Sequence, residues 1–384
     1  MADAQLAIDQ AKATFAALTR AMRPRTLVDN IFQARPIWNK LRQHMKPVSG
    51  TSFQPAIELR QMTGRKYTRK TNLNLGASWA PEIATTADYE TYEYLMHVQI
   101  PMQDILKQGS QGLVDLHQAY MKNAVKSVRT DFSTDLFQTR GSDGTGAIGT
   151  GRSVDGTTNV GGMNTLDQCM WYGNTYGGVD PTTTNQETWE AHVIQGQANA
   201  ASEIEAVAPS LQNFEFAIEQ TEMTCDEKPD LIVVTEDTWQ ALKAQVPAQD
   251  YAMQRAAYAK TDIIRWGYSA LFVLDVPIVR DRDCYGEAFV PGQATTVLAK
   301  GHDAYGINFN HFWYIFNKNA SFRWHEDGWE RGRTSYDCLH NQYYVWGNTA
   351  CDSRRSQLRF INIDPTMDIA DFELATMRLP GADA

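Results

Sequence analysis

Residues 110–137 read SQGLVDLHQAYMKNAVKSVRTDFSTDLF. Leu113, Leu116, Tyr120, Ala124, Val128, Phe132 and Leu136 recur every third or fourth position, which lines one face of an α-helix. Ser110 stands where a hydroxyl can cap the first turn. The pattern predicts a helix of about 28 residues, roughly 40 Å long at 1.5 Å per residue. One helix of that length in a mixed chain is more often a structural beam than a catalytic element.

The pattern changes upstream of the beam. Residues 89–100, YETYEYLMHVQI, alternate aromatic with acidic side chains and then turn apolar. That is a strand that starts exposed and enters a core, closed by Pro101. Glu82, Asp88, Glu90 and Glu93 make this stretch acidic. Before it, residues 56–62 form a short strand, Thr63-Gly64 can turn, and residues 65–71 return, so a β-hairpin is predicted. Arg60, Arg65, Lys66, Arg69 and Lys70 cluster around Tyr67 at its tip. A small local core could not bury those cations, and an isolated hairpin is marginal in water. The hairpin therefore lies on a sheet of its own chain or projects and is held by another chain. Residues 1–20 have helical spacing. Residues 20–46 carry Arg20, Arg23, Arg25, Arg35, Lys40, Arg42 and Lys46 against one acid, Asp29. Pro24, Pro36 and Pro47 argue against one continuous helix there, and the segment reads as an extended basic arm.

Downstream, residues 141–178 are rich in Gly, Thr, Asn and Ser and read as loop, and the Ala content of residues 195–208 permits helix. Ser210 caps an amphipathic helix through Leu211, Phe214 and Ile218. Residues 231–234, LIVV, form a buried strand, and Thr235 caps a following helix with Trp239 and Leu242 on one face. Residues 270–279 are a second buried segment. Beyond Thr295 strand-like runs dominate, at residues 307–316, 342–346 and 358–363. The fold class is α+β, with one long helix and no internal repeat.

Composition narrows the function. The chain has 384 residues and a formal net charge of −10, so its surface as a whole is not a nucleic-acid binder. The most apolar run, residues 270–279, is too short to span a bilayer and contains Asp275. The polar N-terminus does not read as a signal peptide. Cys169, Cys225, Cys284, Cys338 and Cys351 form no C-x-x-C pair and read as reduced thiols.

Chemical motifs are weak. Gly144-Thr145-Gly146-Ala147-Ile148-Gly149 matches G-x-G-x-x-G, and Asp167 lies at a plausible distance for a ribose contact. A dinucleotide loop must follow a strand and open a helix. These glycines follow the long helix, and Gly151-Arg152-Ser153-Val154-Asp155-Gly156-Thr157 cannot start one, so the stretch reads as a connecting loop. His302, His311, His325 and His340 are too widely spaced for a metal helix, and Cys338-x-His340 has no second close pair. Asp281, Asp283, Glu326 and Asp327 are candidate paired acids, but Arg280-Asp281-Arg282-Asp283 reads as surface ion pairs. No catalytic residue, metal or cofactor is expected.

The order of parts is more specific than any motif. A basic arm, a basic hairpin, an acidic-aromatic strand ending Ile100-Pro101 and the long helix come first. Tyr176-Gly177-Gly178-Val179-Asp180 with Thr188-Trp189 follows, then Lys228-Pro229-Asp230-Leu231-Ile232-Val233 with Thr238-Trp239. Trp266-Gly267-Tyr268 leads to Val276-Pro277-Ile278-Val279-Arg280-Asp281. From about Gly50 to Ile363 this series resembles the major capsid protein of tailed bacteriophages, with the HK ninety-seven fold.

The resemblance implies a non-enzymatic shell subunit. Residues 1–50 would be the N-terminal arm and 51–100 the extended loop. Residues 101–141 would hold the spine helix of the peripheral domain, 142–325 the glycine-rich connection and axial domain, and 326–384 the return to the peripheral domain. It implies hexamers and pentamers in an icosahedral virion capsid around double-stranded DNA, with synthesis in the host cytoplasm. The DNA would not be bound in a sequence-specific way, and no membrane partner is implied. About 50 residues precede the hairpin, so scaffolding would come from a separate protein; a portal and decoration proteins are further implied partners. Arg60, Arg65, Lys66, Tyr67, Arg69 and Lys70 would meet Glu82, Glu90 and Glu93 of a neighbour. Lys66 and Lys70 sit where some relatives crosslink, but no partner asparagine can be matched and none is expected. An encapsulin-like nanocompartment shares the implied fold, and a cytosolic enzyme using the Gly144 loop is the remaining alternative.

Overall fold

The computed structural model describes residues 35–59, 84–101, 110–137, 163–170, 175–183, 186, 188–195, 207–284, 302–324, 330–331, 338–365 and 376–378. The helix expected over residues 1–20, the hairpin tip with Arg60, Arg65, Lys66, Tyr67, Arg69 and Lys70, and Glu82 lie outside the described residues. So do the Gly144 motif, the helix permitted after residue 195, His325, Glu326 and Asp327. The chain divides into two compact units: residues 1–51, 90–134 and 314–348 form the first, and residues 52–89, 135–313 and 349–384 the second.

In the first unit the long helix runs Ser110–Phe137, as its periodicity requires. Met121, Ala124, Val128 and Phe132 are buried along it. The basic arm is corrected in part. Pro36–Gln43 is a helix with Pro36 at its first position, where the missing N–H has no intrahelical partner to lose. Ile37, Trp38 and Leu41 are buried, and Lys40 and Arg42 sit in the last turn, beside the helix's partial negative charge. Trp38 meets Phe132 and Tyr314 edge-on at 5.9 and 5.8 Å. An apolar stripe of three residues is enough to turn this part of a charged arm into a packed helix.

The sheet of this unit has six strands among the described residues. Its longest strand, Cys338–Cys351, pairs antiparallel with Tyr92–Pro101 from Cys338 opposite Pro101 to Gly347 opposite Tyr92. The acidic-aromatic strand starts exposed and ends with Val98 and Ile100 buried. Gly347 is required here. A Cβ on it would lie 2.2 Å from the Tyr314 hydroxyl and 2.8 Å from the Ile315 carbonyl oxygen. Gly347→Ala should lose about 1–3 kcal/mol of stability by overpacking. An unchanged melting temperature would contradict that reading.

The second unit is built on a seven-stranded sheet among the described residues. Its order is Thr376–Arg378, His192–Gln195, Leu358–Ile363, His302–Ile307, Leu231–Val234, Val276–Arg280, Ala270–Val273. Leu231–Val234 is buried throughout, between a parallel and an antiparallel neighbour. Ser210 caps Leu211–Cys225 by accepting from the Gln212 amide, and Thr235 caps Glu236–Gln245 by accepting from Thr238. Phe214 stacks on Phe360 at 4.2 Å, in a core that includes Ile218, Ile232, Trp239, Leu242 and Ile278.

Three expectations are corrected and two helices are added. Residues 270–279 are two antiparallel strands rather than one segment, because Leu274 and Asp275 both take positive φ (49° and 70°) and turn the chain. The run at residues 307–316 splits into His302–Ile307 and Phe312–Asn317. The glycine-rich loop contains a helical turn, Leu166–Cys169, closed by a Thr165–Gln168 capping box. Ala248–Ala257 and Asp262–Arg265 are additional helices; the first buries no residue, so its sequence carries little apolar periodicity.

Candidate functional site

The site is the base of the predicted extended loop. Ala56–Glu58 pairs antiparallel with Ala84–Thr86, with Glu58 opposite Ala84. This pair brackets residues 60–83 of the sequence, which hold the cationic cluster and Glu82. It belongs to the second unit and is tied to the rest of that unit by hydrogen bonds. The Ala87 amide donates to the Pro55 carbonyl at 3.1 Å and the Asp88 amide to the Gly177 carbonyl at 2.8 Å. The Thr188 hydroxyl donates to the Leu59 carbonyl at 2.7 Å, the last described residue before the loop. Gly177 and Gly178 take φ of 61° and 76°, and a Cβ on Gly177 would sit 2.9 Å from Ala87 and Tyr89. The Tyr176-Gly177-Gly178-Val179 turn and Trp189, conspicuous in the sequence, are therefore the anchor of this ribbon. The indole N–H of Trp189 donates to the Tyr176 carbonyl at 3.0 Å, and the Tyr89 hydroxyl donates to the Cys351 carbonyl at 2.5 Å.

Of the predicted contact residues, Glu90 and Glu93 lie in the described part, and both are exposed. The Glu90 carbonyl accepts from the Asn348 amide at 2.7 Å, leaving the carboxylate outside that bond. Glu93 stands opposite Trp346 in the ladder. Burial and the nearby Glu90 charge hold the Tyr92 phenol above its usual range; burial and Glu93 do the same for Tyr344. This strip of the first unit is negative and aromatic.

A buried ionic cluster in the second unit escaped the sequence reading. Arg359 is inaccessible, and its guanidinium meets Asp303 at 2.5 Å and Asp167 at 2.9 Å. The Tyr305 hydroxyl donates to Asp167 at 2.5 Å, and the Asn362 amide to Asp303 at 3.3 Å. Burial pushes the Asp303 carboxyl up against the opposing pull of Arg359. Burial works against the Arg359 charge, and the two carboxylates more than reverse it. Asp167, weighed above as a ribose ligand, is committed to an internal ion pair. Arg354, also inaccessible, donates to the carbonyls of Cys169 at 2.7 Å and Trp189 at 2.9 Å, joining the Leu166–Cys169 turn to the anchor.

Two constellations resemble catalytic sets. Cys225 Sγ lies 3.7 Å from His192 Nε2. Burial pushes the thiol up to about 11, and burial with the Arg355 charge pulls the imidazole down to about 4. Both are neutral at pH 7, the reverse of a thiolate–imidazolium pair. His311 holds Asp352 at 2.7 Å through Nδ1 and Glu227 at 3.1 Å through Nε2. With carboxylates on opposite ring nitrogens it is a clamp and not a chelate. No cluster of three metal-ligating side chains occurs among the described residues. In the 280–283 run, Arg280 makes an exposed ion pair with Glu236, whereas Asp281 is buried and its Oδ1 accepts from the Asp283 amide at 3.0 Å.

The clamp has a pH signature. The Asp352 hydrogen bond, with the charges of Asp352 and Glu227, raises His311 above its ordinary 6.5 despite burial. A raised folded-state value contributes stability that is complete below the unfolded value and is lost as pH rises through the folded one. The melting temperature of His311→Gln should fall several degrees below that of the unaltered protein at about pH 5.5, and the gap should narrow by about pH 9. A gap that stays constant over that range would refute the clamp.

No family model matches the sequence, and a search of curated proteins returns no relative. Among solved structures, the chain is similar to the capsid subunit of Cyanophage A-1(L), with a TM-score of 0.55 and 13% identity over 85% of this chain and 92% of that one. The fold is that of a phage capsid subunit. Looser likenesses at 84% coverage of this chain are the capsid of Ralstonia phage GP4 (TM-score 0.47, 12% identity, 88% of that chain) and the SrpI encapsulin of Synechococcus elongatus (0.40, 7%, 86%). Neither of these two is close enough to carry an argument.

Proposed function

We propose that this chain is the major shell protein of a tailed bacteriophage. Copies assemble as hexamers and pentamers into a closed icosahedral capsid around double-stranded DNA, and the chain is a structural component of the virion rather than an enzyme. The observation that carries this is the backbone likeness to a phage capsid subunit over nine-tenths of that subunit's length. Residues 101–141, with the long helix, and 326–384 make up the peripheral domain, and residues 142–325 the glycine-rich connection and the axial domain. Residues 51–100 form the extended loop, and Arg60, Arg65, Lys66, Tyr67, Arg69 and Lys70 engage Glu82, Glu90 and Glu93 of the adjacent copy. Opposite charges on surfaces that only neighbouring copies bring together set the register of assembly. A net charge of −10 suits a container, because a strongly cationic lining would grip phosphate. Synthesis in the host cytoplasm, a separate scaffolding protein, a portal and decoration proteins complete the proposal.

Negative-stain microscopy of the purified protein tests it. Large round particles are expected, and small single subunits would overturn it. Particles that never contain nucleic acid during infection would favour a nanocompartment instead. Arg65→Glu combined with Arg69→Glu should leave the subunit folded but lower particle yield about tenfold, since like charges then face each other. Adding Glu90→Lys and Glu93→Lys should restore part of it. Unchanged yield in the first variant would remove the loop from the assembly mechanism.

A further inference from the structure

Arg355 carries a charge that nothing around it answers. Its guanidinium makes no hydrogen bond or ion pair among the described residues, and its Nε is buried without an acceptor. A buried polar nitrogen in that state costs free energy until an acceptor reaches it. The neighbouring Arg354 differs, because it donates to the carbonyls of Cys169 and Trp189. The Arg355 backbone is fixed, since its carbonyl accepts from the Cys225 thiol at 2.9 Å.

The Arg355 side chain lines a cleft of about 390 Å³ that belongs entirely to the second unit. One wall is apolar and comes from Ile57, Leu59 and Trp189, all three buried. The two carboxylates of the cleft leave Arg355 unanswered. Asp352 is held by His311 Nδ1 at 2.7 Å, and Glu58 is exposed to solvent. An apolar wall beside a lone guanidinium fits a short peptide segment that brings one carboxylate.

The register of the sheet points such a segment at the cleft. Thr376–Arg378 pairs antiparallel with His192–Gln195, and Arg378 stands opposite Val193. A strand leaving in that direction aims at the end of the sheet where Trp189 and Thr188 lie. Leu358 stands opposite His192 on the other side, in parallel pairing, so Arg354–Ser356 lies at the same end. Thr188 is five positions before Val193, and Asp383 is five positions after Arg378. Five residues reach up to about 17 Å, so the two spans match. Asp383 is also the first acid after Arg378. Pro380 has no amide to give a ladder, and Gly381 tolerates a bend, so the sequence suits a chain that quits the sheet there.

We propose that residues 379–383 dock in this cleft and that the Asp383 carboxylate pairs with the Arg355 guanidinium. The docked segment covers Trp189 and Leu59 and so latches the ribbon base from outside. A carboxylate–guanidinium pair gains most where water is partly excluded, as it is at the buried Nε. The inference rests on the second unit alone and stands whether or not the shell reading does.

Arg355→Lys in the full-length protein puts a primary amine in the cleft, and a water-soluble carbodiimide joins an amine to a carboxylate in contact with it. Unlabelled and heavy-isotope-labelled subunits of this variant are mixed in equal amounts, treated, digested and analysed by mass spectrometry. The expected product joins the peptide holding position 355 to the peptide holding Asp383, one water lighter than the pair, with both halves of the same isotope. Pairs of mixed isotope would assign the cleft to the tail of a second copy and overturn the proposal. A link to Glu58 or Asp352 instead, or no link to Asp383, would overturn it as well. A second measurement needs no coupling chemistry. A chain ended after Arg378 keeps the Thr376–Arg378 strand, and its amide exchange over residues 188–191 should quicken severalfold while that of Leu231–Val234 stays unchanged. Asp383→Lys should act like the truncation, and Asp383→Glu should not. Exchange unchanged by truncation would show that the cleft is not occupied by the tail.

Discussion

Replacing Arg359 with methionine should remove about 3–5 kcal/mol of folding stability, the largest effect expected of any single substitution here. Methionine fills much of the same volume, so the loss is electrostatic. Asp303 is fully buried and Asp167 nearly so, and both direct an oxygen at the guanidinium. Without it, two carboxylates stay in a low-dielectric interior, where the Tyr305 hydroxyl and the Asn362 amide compensate them in part. Domains are typically stable by about 5–15 kcal/mol, so the variant should lose a large part of that margin and unfold at a markedly lower denaturant concentration. The pH response gives an independent check. Burial already raises Asp303, and loss of the arginine raises it further. A carboxylate whose folded value exceeds its unfolded one destabilises at high pH, so the variant should regain stability as pH falls from about 7 towards 5. Adding Asp303→Asn should recover part of the loss. A denaturant midpoint within about 1 kcal/mol of the unaltered protein would show that the cluster is hydrated and unimportant.

Trp189→Ala should lose a comparable amount, about 3–5 kcal/mol, by a different route. The side chain is 2% exposed, and its removal leaves a cavity beside Arg354, whose guanidinium lies 5.9 Å from the ring centre. It also strips the Tyr176 carbonyl of its indole donor. Trp189→Phe, which keeps most of the volume, should lose about 1–2 kcal/mol for that hydrogen bond and the residual void. Damage should concentrate at the ribbon base. The Asp88 amide bonds to Gly177 within the same anchor, so its hydrogen exchange should accelerate in the alanine variant more than that of strand Leu231–Val234. Uniform acceleration would mean that Trp189 supports the whole second unit and not the anchor in particular. Either variant should also depress particle yield under the proposed shell function, whereas the charge reversals at Arg65 and Arg69 should do so without a change in melting temperature.

Legibility differed sharply between residues. The Ser110–Phe137 helix, the Ser210 and Thr235 caps and the buried strand Leu231–Val234 could be read because each signal lies within one element. The turn between Ala270–Val273 and Val276–Arg280 could not, because Leu274 and Asp275 adopt positive φ without the Asn-Gly pair that announces such turns. The Arg359 cluster joins residues 56 and 192 positions apart, and no local pattern marks Asp167 as its partner.

Residue order alone settled which segments are helix or strand where period, caps and turns agree, and it placed cations at residues 60–70 and carboxylates at Glu90 and Glu93. Those are short-range matters, decided by side-chain spacing and backbone hydrogen bonding over a few residues. Tertiary structure alone decided that the Tyr176–Val179 turn anchors the ribbon and that Asp167 answers Arg359 rather than a ligand. Each of these depends on burial bringing distant groups within a few ångströms, where the low dielectric makes their pairing far stronger than it would be in water.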